Sequence, residues 1–233
     1  MSSLDYVGDE LGLFALATHW KGYWVSQLKP YLGSEVLEVG AGIGTNTPYL
    51  RTGKEKRWVC LEPDPKLAAV HSERLRPVPE VIVGTLEDLP ADAHFDTILY
   101  IDVLEHIEND HGELARAADR LLPGGRLIVL SPAHQWLFSP FDGAIGHFRR
   151  YDRKQMLALT PGGLVVEKCF YLDSVGLLAS AANRLLLQQS MPDERQIRIW
   201  DRYMVPCSRV IDPLICRSIG KTVVAIWRRP TDG

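Results

Sequence analysis

The chain of 233 residues carries 26 basic and 29 acidic side chains, a formal net charge of −3 and a pI near 6.2. That length suits one large domain with a sizeable core, and the acidic balance argues against a nucleic-acid partner. The scattered cysteines form no CxxC pair, no export signal is visible, and no apolar run approaches the ~18 residues of a membrane span, so we expect a cytoplasmic protein with reduced thiols.

The order of apolar patterns predicts the fold class. A helical stripe opens the chain, with these members: Leu13, Leu16, Trp20, Trp24 and Leu28. Five strand patterns follow, most of them separated by helical patterns: EVLEV, RWVCLEP, VIVG, FDTILYI and GRLIVLS. Two more, GLVVEKCFY and TVVAIW, flank a long helical segment in the tail. Near-continuous apolar strands that alternate with helices predict a parallel sheet covered on both faces.

A glycine-rich loop, VLEVGAGIGTNT at residues 36–47, follows the first strand. It misses the dinucleotide fingerprint G-x-G-x-x-G, because the third glycine is Gly44 and the required position holds Thr45. Glu38, inside the first strand, could accept a hydrogen bond from a cationic group, and Glu62, at the end of the second, could accept both hydroxyls of a ribose. An acidic, glycine-lined site suits a cationic ribose ligand such as S-adenosylmethionine better than a pyrophosphate.

The loop and four later motifs together resemble the class I S-adenosylmethionine-dependent methyltransferases of the small-molecule type. The four are LEPDP, GTLEDLP, FDTILYIDVLEHIEND and LLPGGRLIVLSP, and all five stand in the family order. The resemblance implies an α/β, doubly wound, Rossmann-like sheet of seven strands, mostly parallel with an antiparallel last strand. Many relatives have an aspartate where Thr85 stands, so the adenine contact would fall to Glu87, Asp88 or the backbone.

From this resemblance we expect S-adenosylmethionine as cofactor, with these binding residues: Glu38, Gly40, Gly42, Gly44, Glu62, Thr85, Leu86, Glu87 and Asp102. We expect a single methyltransferase domain over residues 1–233. Within it, a helical cap occupies residues 1–34 and the cofactor-binding core residues 35–173. A helical insertion over residues 174–220 then separates the last two strands, and residues 221–233 form the last strand and tail.

The loop after the fifth strand, SPAHQWLFSPFDGAIGHFRRYDR, leaves the sheet where open α/β folds bind ligands. Histidine titrates near neutrality, so His147 is the first candidate for a catalytic base, with His134 and Tyr151 as alternatives. The candidate substrate-binding residues are Trp136, Arg149 and Arg150. In the alternative interpretation both arginines pair with surface acids and His147 caps the next helix. The histidine and acid spacing is not compact, so we expect no metal.

These motifs predict methyl transfer to an oxygen or nitrogen atom of a small-molecule acceptor. One alternative is a non-catalytic binding protein of the same fold. Another is a nicotinamide-dependent oxidoreductase, which would need the longer glycine spacing and a pair such as Tyr-x-x-x-Lys. A nucleic-acid methyltransferase would need an Asn/Asp-Pro-Pro-aromatic motif after the fourth strand, where YIDVLEH stands.

The insertion predicts two amphipathic helices. The first has an apolar stripe of Leu178, Ala182, Leu185 and Gln189, and the second groups Ile197, Trp200 and Met204 opposite Arg195, Arg198 and Arg202. They either pack on the core or form a lid over the acceptor. Apolar helices bordered by arginines would suit a lipophilic, lipid- or glycan-linked or phosphate-bearing acceptor, with peripheral membrane contact. The sequence leaves the oligomeric state open.

Overall fold

In the computed structural model, which describes residues 12, 15–74, 79–182, 184 and 193–231, a seven-stranded sheet has the order β3-β2-β1-β4-β5-β7-β6. The strands are β1 Glu35–Val39, β2 Arg57–Glu62, β3 Glu80–Val83, β4 Phe95–Ile101, β5 Leu121–Pro132, β6 Val165–Leu172 and β7 Thr222–Arg228. Strand β7 runs antiparallel to both neighbours, and the pairs among β1–β5 are parallel. The predicted fold class is therefore confirmed.

Both faces of the sheet are covered, because successive residues of its strands enter different apolar clusters. Leu37 and Ile98 belong to one cluster, whereas Val36 and Leu99 belong to the other. This two-sided burial explains why the central strands read as continuous apolar runs.

Helices fill the connections. They are α1 Thr18–Leu28, α2 Thr47–Leu50, α3 Pro65–Arg74, α4 Asp110–Asp119, α5 Pro140–Ala144, α6 Arg153–Ala158, α7 Ser174–Ala182, α8 Glu194–Ile199 and α9 Val205–Leu214. A π-helical turn, Trp200–Met204, joins α8 to α9. Asp64 caps α3, since its carboxylate accepts the Lys66 amide at 2.7 Å. Among the described residues, no helix has the length and apolarity to cross a membrane.

The N-terminal stripe is confirmed only in part. Trp20, Trp24 and Leu28 form the buried face of α1. Leu16 precedes the helix and is exposed, and Leu13 lies outside the described residues.

Buried carboxylates fix the helices between β6 and β7 to the rest of the fold. Asp212 accepts the amides of Asp173 and Ser174 at 2.7 and 3.1 Å and the Tyr23 hydroxyl at 2.8 Å. Asp201 similarly accepts the Trp20 amide at 2.8 Å. These bonds satisfy backbone donors at the start of α7 and link the segment to α1.

The predicted phase of α7 is wrong. Leu177 is buried, whereas Leu178 is 66% exposed. The hydrogen bonds of Ser174 to Asp212 set the rotation of the helix and turn Ser174 and Leu177 inward. Leu185 and Gln189 lie outside the described residues.

The second predicted stripe agrees with the structure. Ile197 is buried, Trp200 and Met204 are half-buried, and the three arginines are exposed: Arg195, Arg198 and Arg202.

Candidate functional site

The carboxyl ends of β1, β2 and β4 meet at one edge of the sheet, and the glycine loop turns there. The amides of Gly40 and Ala41 both donate to the Leu61 carbonyl, which ties the loop to β2. Gly40 and Gly44 have φ angles of +64° and +73°. A Cβ on Gly40 would lie 2.6 Å from a Val103 methyl carbon, and a Cβ on Gly44 would lie 2.9 Å from the His71 ring. Only glycine fits at either position, because the φ angle is positive and the protein's own side chains occupy the space that a Cβ would take.

Glu62 ends β2 directly beside this loop. Its carboxylate accepts the Gly42 amide at 2.8 Å and the Asp64 amide at 3.0 Å. Burial raises the pKa of Glu62, while these two amides oppose the rise. Each carboxylate oxygen takes one backbone donor and keeps acceptor capacity for another, so the pair fits a vicinal diol.

Glu38 lies beneath the loop and is buried. One of its oxygens accepts the Thr47 hydroxyl at 2.9 Å and the Trp58 indole N–H at 3.0 Å. Burial raises the pKa of Glu38 to about 7, against the effect of these bonds and of Lys21. The carboxyl is thus poised to gain charge when a cation binds nearby.

Lys21 is a site residue that the sequence analysis missed. Its ammonium donates to the Thr45 carbonyl at 3.0 Å and lies 5.6 Å from the centre of the Tyr49 ring. It therefore joins the N-terminal helix α1 to the glycine loop. No local pattern distinguishes this lysine from the other basic residues of the chain.

The turn predicted to hold adenine is closed by its own side chains. The Asp88 carboxylate accepts the Thr85 amide at 2.7 Å, and Glu87 faces Arg116 at 3.8 Å. The Leu86 side chain lies in the apolar core. Backbone groups of this turn are consequently better placed to bind a base than the side chains of Leu86 and Glu87.

Asp102 follows β4 with a φ angle of +55°, and its amide donates to the Leu130 carbonyl at 2.8 Å. Its side chain is solvent-accessible, yet the dense protein around it raises its pKa to about 6, although His147 and Lys221 oppose the shift. Lys221 was also missed by the sequence analysis. Its ammonium lies 4.6 Å from the centre of the Trp200 ring. Asp102 thus stands between the glycine loop and the loop after β5.

Asp142 organises the loop after β5. This buried carboxylate accepts Nδ1–H of His147 at 3.0 Å and two N–H groups of Arg150 at 2.7 and 3.0 Å. Burial would raise the pKa of Asp142, but the bonds from His147 and Arg150 hold it well below its ordinary value. The arginine is thereby committed to an internal ion pair, which disfavours its predicted role in binding substrate.

Asp110 likewise holds two other candidate residues, Tyr151 and Arg149, in internal contacts. It accepts the Tyr151 hydroxyl at 2.9 Å and lies 2.6 Å from an Arg149 nitrogen. Burial raises the pKa of Tyr151, which makes its phenol a poor base. Both arginines pair with acids, as in the alternative interpretation, but the acids are buried and not at the surface as that interpretation had them. The other part of the alternative interpretation, in which His147 caps the next helix, is wrong, because Asp152 caps α6.

His134 and Trp136 occupy the outer part of the loop. The His134 ring stacks on Tyr171 at 5.1 Å and donates from Nε2 to the Gly220 carbonyl at 2.9 Å. Burial lowers the pKa of His134. Trp136 is half exposed and lies 6.0 Å from the His134 ring. His134 is therefore tied to the end of the sheet, apart from the His147 and Asp142 pair.

The structure brings His147 to Glu105 and His106, a cluster that sequence spacing did not indicate. Nε2 of His147 lies 3.9 Å from Oε1 of Glu105, and one potential ligand atom from each of the three residues lies within 4.8 Å of the others. Burial, followed by the charge of Asp102, raises the pKa of Glu105. Burial lowers the pKa of His106 to about 4, so its imidazole is neutral.

Comparison with known proteins gives a methyltransferase domain match over residues 37–129. The demethylmenaquinone methyltransferase of Tropheryma whipplei (strain Twist) is 35% identical over 132 residues, which cover 55% of this chain and 54% of that protein. The chain thus spans about half the length of the curated relatives it matches.

Two solved structures share the fold at low sequence identity. A chain of the Haloferax volcanii complex containing the Trm112 methyltransferase activator matches with a TM-score of 0.65 and 16% identity, covering 95% of both chains. The N-methyltransferase NodS from Bradyrhizobium japonicum WM9, in complex with S-adenosyl-l-homocysteine, matches with a TM-score of 0.58 and 14% identity, covering 92% of this chain and 88% of that one.

The buried carboxyl of Glu38 predicts a pH-dependent stability. Its pKa is near 7 in the folded chain against an ordinary 4.5. A carboxyl whose pKa is higher in the folded state than in the unfolded state makes its full contribution to stability at pH values below the unfolded-state pKa. This contribution is lost as the pH rises towards the folded-state pKa. Between these two pH values the free energy of unfolding of the wild type should fall by about 1–3 kcal/mol relative to that of Glu38→Gln. Urea denaturation across this range measures it.

The matched control is Glu73→Gln, a change at an exposed position of α3, which should follow the wild type. Parallel curves for the wild type and Glu38→Gln would contradict the account.

Proposed function

We propose that this chain, which belongs to the class I S-adenosylmethionine-dependent methyltransferase family, transfers a methyl group from S-adenosylmethionine to an oxygen or nitrogen atom of a small-molecule acceptor. The observation that carries the proposal is the contact between the glycine loop and Glu62. There, glycine backbone at positive φ lies beside the Glu62 carboxylate, whose two oxygens can each still accept a hydrogen bond from a hydroxyl. When bound, S-adenosylmethionine supplies a methyl group on a positively charged sulfur.

The residues at this edge fit that ligand chemically. Glu62 would hold the ribose and the backbone of the Thr85 turn the adenine, with the glycine loop lying along the amino-acid part. Asp102 lies at one side of the loop, and the Glu38 carboxyl beneath the loop would gain negative charge when a cation binds. A concentration of acids supports a cationic ligand and disfavours the pyrophosphate of a nicotinamide cofactor.

On the acceptor side we assign His147 rather than His134 or Tyr151. Asp142 fixes the His147 ring through Nδ1, which leaves Nε2 facing the cluster beside Asp102. His134 is tied to Gly220 and the Tyr151 hydroxyl to Asp110. Orientation of the two reactants would supply most of the acceleration, and His147 would assist a hydroxyl acceptor.

The segment from α7 to α9 borders the same side of the site. Arg184 donates to the Phe138 carbonyl of the β5 loop at 2.8 Å. Trp200 packs against Lys221, whose charge acts on Asp102. These contacts support a role for this segment in shaping one side of the acceptor site and in excluding water from it.

The outer face of this segment supports an acceptor with a lipophilic part. Ile199, Tyr203, Val210 and Leu214 are 41%, 61%, 65% and 78% exposed. The flanking exposed arginines are Arg195, Arg198, Arg202 and Arg209. An apolar helix face bordered by arginines suits the surface of an anionic bilayer. The free cysteines accord with the reducing, cytoplasmic side of such a membrane.

Glu62→Ala tests the cofactor site. The change removes the acceptor of two charged hydrogen bonds, so the affinity for S-adenosylhomocysteine should fall by about 1–3 kcal/mol, measured by calorimetry. Glu73→Ala, at an exposed position of α3, is the control and should bind like the wild type. Equal affinities of Glu62→Ala and wild type would show that the ribose is held elsewhere.

His147→Ala tests the acceptor site. Turnover, followed by a coupled homocysteine assay over a panel of hydroxyl and amine acceptors, should fall by roughly 10²-fold or more with a hydroxyl acceptor. Affinity for S-adenosylhomocysteine should change less than threefold, since Glu62 and the glycine loop remain. His134→Ala is the matched control in the same loop and should retain more activity. Unchanged turnover in His147→Ala would assign that histidine a structural role.

Vesicle sedimentation tests the membrane proposal. At low salt the protein should pellet with phosphatidylglycerol vesicles and remain in solution with phosphatidylcholine vesicles. Reversing Arg198 and Arg202 to Glu should weaken binding by at least roughly tenfold, since each arginine contributes about 1 kcal/mol. The control reverses Lys54 and Lys154, which are exposed elsewhere. No pelleting at low salt would exclude this part of the proposal.

A further inference from the structure

Glu105 presents a fully buried carboxylate that is only half satisfied. One oxygen, Oε2, accepts the Ser131 hydroxyl at 2.9 Å. The other, Oε1, has no hydrogen-bond partner among the residues that the structure describes. A buried carboxylate oxygen without a partner is costly, so its place in the fold calls for an additional group.

His147 is aimed at this oxygen. Asp142 accepts from Nδ1 at 3.0 Å, so the neutral ring carries its proton there and leaves the lone pair of Nε2 free to coordinate. Nε2 lies 3.9 Å from Oε1 of Glu105. The Phe148 amide donates to the Glu105 carbonyl at 2.8 Å and so holds the loop against the end of β4.

His106 completes the cluster from the opposite side. Its ring meets the His147 ring edge to face, with the centroids 4.5 Å apart. A hydrogen bond with the Gly146 backbone fixes its orientation. Two imidazoles and one carboxylate thus converge, with one ligand atom from each within 4.8 Å of the others.

We propose that Glu105, His106 and His147 bind a divalent first-row transition-metal ion. Two histidines and one carboxylate form a ligand set that such ions favour and that leaves coordination positions open. Metal–ligand distances of ~2.0–2.2 Å put neighbouring ligand atoms roughly 3–3.5 Å apart, so a small side-chain rotation closes the present gap. Asp142 and Gly146 are the outer hydrogen-bond partners that metal-binding histidines typically have.

The ion would stand beside Asp102 and favour the ionised form of Glu105, which burial and the charge of Asp102 disfavour. With the ion bound, Nε2 of His147 would be a ligand, so the ion rather than the imidazole would favour loss of a proton from an acceptor oxygen; this role rests on the proposed function. The metal site itself is independent of that function.

Titration of the chelator-treated 233-residue chain with Mn²⁺, with free Mn²⁺ followed by electron paramagnetic resonance, tests the proposal. We use Mn²⁺ because it binds carboxylate and imidazole but disfavours the exposed thiols. We expect saturation at one ion per chain, and displacement by Zn²⁺. Glu105→Gln and His106→Asn should each weaken binding by at least roughly 100-fold. The control is His94→Asn, at an exposed position, which should bind like the wild type.

S-adenosylhomocysteine binding, measured on the same variants, separates loss of the metal site from loss of the fold. Retained binding with lost Mn²⁺ affinity supports the proposal. Absence of saturable Mn²⁺ binding in the wild type, or equal affinity in Glu105→Gln and His94→Asn, overturns it. If Mn²⁺ binds at the cluster while S-adenosylhomocysteine does not bind the wild type, the proposed function fails and the metal site stands.

Discussion

The parallel pairing of β1 with both β2 and β4 is the constraint on which the site depends. Val39, the last residue of β1, lies opposite Leu61 on one side and Tyr100 on the other. The chain therefore leaves three adjacent strands at the same edge, where the strand order reverses. Because of that reversal, Glu62 and Asp102 reach the glycine loop from opposite sides, although neither is near it in sequence.

Buried carboxylates hold the loop after β5 and the helices before β7 in place, as strand pairing holds the ends of β1, β2 and β4 together. Asp142 gathers His147 and Arg150, and Asp212 ties α7 to Tyr23. Each acid is surrounded by donors, because an unpaired buried charge would destabilise the fold. The loop after β5 is consequently an internally braced structure. Most of the charged side chains of this loop pair with other groups of the protein. His147 is the residue of the loop whose free ring nitrogen faces Glu105 and His106.

Local signals made the strands and the glycine loop predictable from sequence. β-Branched runs mark the strands, and a loop with Gly40 and Gly44 needs positive φ angles that other residues rarely adopt. The pairing of Arg150 with Asp142 and the approach of His147 to Glu105 depend on how distant segments pack, which periodicity cannot show. In α7 two adjacent stripes are both apolar, so only the capping bonds of Ser174 decide which one is buried.

Calorimetric titration of the wild-type chain with S-adenosylhomocysteine and, separately, with NAD distinguishes an S-adenosylmethionine site from a dinucleotide site. Both ligands carry adenine and ribose, but only NAD carries a pyrophosphate, whereas the edge of the sheet presents acids: Glu38, Glu62 and Asp102. We expect saturable binding of one S-adenosylhomocysteine per chain and no detectable heat with NAD. Saturable binding of NAD without binding of S-adenosylhomocysteine would show that the glycine loop serves a dinucleotide instead.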